Sequence, residues 1–151
     1  MGAEAAEANQ AEQFTAEEVE LLLEAARYDD LDDIKTFESA GVPLNSRDPQ
    51  GRTALHMAAA NGHLDIVVYL ISKGVDLNTP NEEKNTPLHW ACLNGHIEVV
   101  KSLILAGANV SVLNSHDRTP VDEAMSRGKM NVLDAINVAS SQLELTRSRV
   151  S

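Results

Sequence analysis

Residues 53–63 read Thr-Ala-Leu-His-Met-Ala-Ala-Ala-Asn-Gly-His, and residues 86–96 read Thr-Pro-Leu-His-Trp-Ala-Cys-Leu-Asn-Gly-His. The two stretches lie 33 residues apart, and a degraded third copy opens at the same interval as Thr119-Pro120-Val121-Asp122. Gly62, Gly95 and Gly128 keep that spacing, as do Gly41, Gly74 and Gly107. Threonine, histidine and glycine sharing one register mark a tandem structural unit. In such arrays each unit packs mainly on its neighbours.

The unit follows from local chemistry. Thr53, Thr86 and Thr119 stand where a side-chain oxygen caps the first amides of a helix. Pro87 and Pro120 occupy the first helical position, where a missing N–H costs nothing. Gly62, Gly95 and Gly128 then end that helix, because glycine accepts positive φ. A second helix carries paired apolar residues, Ile66, Val67, Leu70 and Ile71, then Val99, Val100, Leu103 and Ile104. That spacing makes one apolar face. Gly74 and Gly107 close it, and the chain turns outward into the next unit.

This pattern resembles the ankyrin repeat, closely over residues 48–80 and 81–113, partially over 114–141 and faintly over 15–47. The resemblance implies an all-α solenoid of four helix-loop-helix repeats with protruding β-hairpin loops. First and last repeats act as caps. Asp33 and Glu38 stand where later repeats have Ile66 or Val99 and Ile71 or Ile104, and Asn137 replaces the same Ile at the far end. A capping box, Thr15 with Glu18, and a staple between Phe14 and Val19 mark the start of the first helix, expected at about 16–28. Residues 1–13 are expected as a disordered acidic tail, 14–141 as the repeat domain and 142–151 as a flexible tail.

Composition restricts the function. The formal charge is −11, and residues 1–50 hold 13 carboxylates against Arg27, Lys35 and Arg47, while residues 51–151 come to −1. That sign argues against nucleic acid and favours a basic protein segment. No apolar run approaches a membrane span, and Ala6 spoils a myristoylation reading of Gly2. A lone Cys92 fits a reducing compartment, so a cytoplasmic or nuclear location is expected.

No phosphate loop, nucleophile elbow or HExxH is present, so no enzyme, cofactor or metal is expected. His56, His63, His89 and His96 belong to the repeat framework; in the family the first of each pair bonds backbone near the turn and the second supports the helix–loop junction. Cys92 takes the small-residue slot of Ala59 and reads as a buried thiol.

The resemblance puts recognition on the loop tips and the exposed side of the first helices. In this sequence those are Pro49, Gln50, Arg52, Met57, Ala60 and Asn61, then Glu82, Glu83, Asn85, Trp90, Leu93 and Asn94. The last repeat offers Ser115, His116, Arg118, Ser126 and Arg127, and the first adds Tyr28, Asp29 and Asp30. Met57 and Trp90 share one register and are the expected grip, since Trp is enriched at interface hot spots and Met adapts.

Two partner classes are open, with a monomer expected when free. Residues 54–63 and 88–95 resemble the short ankyrin-repeat escort chaperones of small-ribosomal-subunit proteins, which implies a basic ribosomal client. Such chaperones carry a long acidic C-terminal extension, whereas this sequence ends with Arg147 and Arg149. The other class is a signalling or scaffolding adaptor with a target that is not basic.

Overall fold

The computed structural model describes residues 16–150, so the expected acidic tail 1–13, the expected staple residue Phe14 and the expected cap Thr15 lie outside the described residues. Among the described residues eight helices form four pairs: α1 (16–27) and α2 (Leu31–Ser39), α3 (Ala54–Asn61) and α4 (Leu64–Ser72), α5 (Pro87–Leu93) and α6 (Ile97–Leu105), α7 (Pro120–Ser126) and α8 (Met130–Val150). The first helices form one row, α3 against α5 against α7, and the second helices another, α4 against α6 against α8. The core runs between the rows through Leu22, Ile34, Leu55, Ile66, Leu70, Leu88, Leu103 and Ile104, all fully buried.

The threonines act as expected. Thr53 Oγ1 accepts the His56 N–H at 3.3 Å, while His56 Nδ1 accepts the Thr53 N–H at 3.2 Å. Thr86 and His89 repeat the exchange, and in the fourth pair the Asp122 carboxylate replaces the imidazole, accepting the Thr119 N–H at 2.9 Å. Each framework histidine then crosses to a neighbouring repeat. His56 Nε2 donates forward to the Asn85 carbonyl at 2.8 Å and His89 Nε2 to the Arg118 carbonyl at 2.9 Å. His63 and His96 donate backward, to the Arg27 carbonyl at 2.8 Å and the Ala60 carbonyl at 3.0 Å. Neighbouring repeats are thus tied in both directions at little entropic cost, because imidazole has few rotors.

Three expectations need correction. The loops between repeats are not β-hairpins: among the described residues there is no strand. Each loop is closed instead by an aspartate or asparagine at its first position. Asp48 Oδ1 accepts the N–H groups of Gln50 and Arg52, Asn81 Oδ1 those of Glu83 and Asn85, and Asn114 Oδ1 those of His116 and Arg118, all within 3.1 Å. A side-chain oxygen mimicking a backbone acceptor makes the turn in five residues, too short for a ladder. Successive loops share single backbone bonds, Glu82 N–H to the Gln50 carbonyl at 2.8 Å and Ser115 N–H to the Glu83 carbonyl at 2.9 Å.

Second, the last helix runs to Val150, past residue 141 where the sequence reading ends the repeat. Residues 138–150 contain neither Gly nor Pro, so nothing in the chain stops it. Third, Asp33 and Asn137 are exposed as end caps should be, but Glu38 turns inward to the second repeat. Its carboxylate accepts the Tyr69 hydroxyl and lies 3.6 Å from Lys73 Nζ.

Candidate functional site

The residues expected to bind a partner divide into a buried set and an open set. Met57 is only 3% exposed; its sulfur accepts a bond from the Arg27 guanidinium at 3.5 Å. It is a core residue and cannot grip a partner. Asn85 is buried too, with its carbonyl taken by His56 and its side chain by Asn114 Nδ2 at 2.9 Å. Ala60 is half-buried, and the exposed Asn61 folds its amide back onto the Met57 carbonyl at 2.8 Å. Arg52 reaches its own loop, 2.7 Å from the Asp48 carboxylate.

Trp90 is half-buried in the same register as Met57, with its ring edge-on to His56 at 5.3 Å. It walls an open cavity of about 290 Å³ together with Leu93, Glu83, Arg118 and Arg127. The floor holds a residue the sequence reading missed. Glu123 is buried, one carboxylate oxygen accepting Asn114 Nδ2 at 2.8 Å and the other 3.8 Å from Arg118 Nη1. Extending the register from Met57 through Trp90 by one more repeat lands on Glu123, so the signal was present. Glu82 and Asn94 are exposed, and Asn94 bonds the Trp90 carbonyl at 3.0 Å.

At the opposite end Tyr28 is 68% exposed, and Asp29 and Asp30 are exposed beside it. Asp29 lies 3.8 Å from His63 Nδ1, and Asp30 caps α2 by accepting the Asp33 N–H at 3.1 Å. The negative charge of Asp30, then desolvation and the charge of Asp32, hold the Asp33 carboxyl above its usual range. Like charges this crowded favour a cation from elsewhere.

Cys92 is fully buried, and burial pushes its thiol up to about 12. Since the thiolate is the nucleophile, a thiol-reactive dye should leave the folded protein unlabelled for as long as it takes to label the urea-unfolded chain completely. Rapid labelling of the folded protein would contradict the burial. Among the described residues no group of three His, Cys, Asp or Glu is placed to hold a metal ion, and no helix is long and apolar enough to cross a membrane.

A family model for ankyrin repeats, in three copies, matches residues 22–114. Among curated proteins, the mitochondrial liver isoform of glutaminase from Rattus norvegicus is 43% identical over 49 residues, 32% of this chain and 8% of that protein. Acyl-CoA-binding domain-containing protein 4 of Oryza sativa subsp. japonica is 48% identical over 46 residues, 30% of this chain and 14% of that protein. The matched stretch covers far less than two thirds of either relative, so their activities do not transfer with it.

Proposed function

The chain belongs to the ankyrin-repeat family, a protein–protein interaction module, and from that premise we propose that it holds a basic segment of another protein as an escort. The observation that carries this reading is the concentration of charge: residues 1–50 sum to −10, and Asp29, Asp30, Asp32 and Asp33 are all exposed within five residues. Exposed carboxylates crowded on a rigid support steer a basic partner and discriminate against acidic ones. Trp90 and Leu93 supply the apolar contact that charge alone lacks. The sequence resemblance to ribosomal escort chaperones supports a basic ribosomal protein as the client. A lone buried cysteine and the absence of a membrane-crossing helix among the described residues support a cytoplasmic or nuclear setting. On this reading the repeat domain spans residues 14–141, with its last helix continuing beyond it to Val150.

Affinity capture from cell extract tests this. The wild type is expected to retain a basic protein at low salt and release it as salt rises, with Trp90→Ala losing it throughout. The variant Asp29→Asn, Asp32→Lys, Asp33→Lys keeps Asp30 to cap α2 and should lose the same protein. Retention that ignores both salt and the charge variant would sink the escort reading. It would instead favour an adaptor with a target that is not basic.

A further inference from the structure

The turn that joins the two helices of each repeat recurs four times in the 33-residue register: Tyr28-Asp29-Asp30, Asn61-Gly62-His63, Asn94-Gly95-His96 and Arg127-Gly128-Lys129. The structure makes these positions equivalent. The central residue is left-handed in every one, with φ of 63° at Asp29, 74° at Gly62, 75° at Gly95 and 70° at Gly128. The third residue reaches back across the turn before it: His96 lies against Gly62 and the Lys129 stem against Gly95. Along this row the side chains pass from two carboxylates, through two Asn-Gly-His turns, to two cations. Arg127 and Lys129 are exposed and make no ion pair among the described residues. Arg118 and Arg127 also line the Trp90 cavity, where Glu83 and the buried Glu123 balance them, so the positive character of this end rests on Arg127 and Lys129 at the turn itself.

We propose that this row reads a bipolar segment of the partner, basic where it meets Asp29 and Asp30, apolar opposite Trp90 and Leu93, and acidic where it meets Arg127 and Lys129. The inference rests on the reading above that the first repeat takes a basic stretch, and adds a requirement for carboxylates at the other end. Three inter-repeat steps of ~8–10 Å separate the ends, so a helical segment of about 20 residues at ~1.5 Å each reaches from one to the other. A uniformly basic segment would meet like charge at Arg127 and Lys129; a uniformly acidic one would meet it at Asp29.

Two Trp-free, Ala-rich helical peptides of about 20 residues provide the test. One carries Glu in its first half and Lys in its second; the other has Gln in place of every Glu. Anisotropy of the labelled peptide reports affinity, and the emission of Trp90 reports that the peptide lies across the row. On the wild type the bipolar peptide should bind about fivefold tighter at low salt, the worth of one or two exposed pairs. Arg127→Glu with Lys129→Glu should invert the order. Arg127→Gln with Lys129→Gln, which keeps the aliphatic stems, should erase it. Equal binding of the two peptides to the wild type overturns the bipolar requirement and leaves the basic-partner reading standing. Failure of both peptides to shift Trp90 emission overturns the two together. A wild-type dimer in sedimentation, absent from the charge variants, would give the row to a second copy and also overturn the proposal.

Discussion

Lowering the pH from 7 to 4 is expected to remove about 3 kcal/mol of folding stability through His56 alone, at roughly 1.4 kcal/mol per pH unit. His56 is fully buried, and desolvation lowers its pKa from 6.5 to about 4. The bond to the Asn85 carbonyl and the charge of Asp48 push the other way, while Arg47 and Arg52 add to the lowering. The imidazole must stay neutral, since Nδ1 accepts from Thr53 and only Nε2 has a proton to give. In the unfolded chain the same group takes a proton near pH 6.5. The unfolded state therefore binds more protons between pH 6.5 and 4, so the stability is complete above 6.5 and drains as pH falls to 4. His89 is shifted in the same direction, chiefly by burial, and adds to the loss. Asp122 is held low by its bonds to Thr119, so it weakens the fold only in stronger acid. Urea midpoints at pH 7, 5.5 and 4.5, with ring chemical shifts of His56, check the expectation. A midpoint independent of pH over that interval would refute it. Against a typical total of about 5–15 kcal/mol, the effect is large enough to unfold a marginal array.

Gly62→Ala should destabilise the protein by roughly 3 kcal/mol, and Gly74→Ala by about half of that. Both glycines are left-handed, φ 74° and 76°, so either substitution incurs a strain of about 1–2 kcal/mol. They differ in their surroundings. A Cβ on Gly62 would stand 2.6 Å from His96 Nδ1 and 2.8 Å from its Cε1, whereas one on Gly74 meets nothing within 4 Å. To make room the His96 ring must leave the Ala60 carbonyl, giving up a further ~1 kcal/mol with that bond. The double variant Gly62→Ala, His96→Ala separates the two contributions, because with the ring gone only the strain remains. Equal costs at Gly62 and Gly74 in chemical denaturation would show that the ring yields freely.

The helices were legible because their signals are local. Thr at the cap, Pro behind it and Gly at the end act within one turn, and the aliphatic pairs set the buried face. What was hidden depended on neighbours. Met57 and Trp90 share a register, yet Met57 is buried with the Arg27 guanidinium against its sulfur, and nothing in residues 53–63 announces an arginine 30 positions earlier. Glu38 read as a solvent cap because the register has Ile there; it faces inward because Tyr69 and Lys73 offer a donor and a charge. Asp48, Asn81 and Asn114 keep the 33-residue interval as faithfully as the threonines, but a turn closed by a side chain leaves no hydrophobic pattern, and the hairpin expectation rests on the family resemblance alone. Glu123 was missed for a related reason: a carboxylate in a tryptophan's position looks like surface until Asn114 and Arg118 are seen around it.

The single bonds between successive loops give the array a direction. Glu82 and Ser115 each donate to the loop before them, and the position one repeat ahead of Glu82 is Pro49, which has no proton to donate. The first loop can be joined only from behind. A repeat grafted in front of residue 48 would find this seam silent unless Pro49 were also changed, whereas one spliced between the second and third units would inherit a donor and an acceptor on its two sides. The chain thus marks the place from which its loops are counted, and it does so with a missing hydrogen.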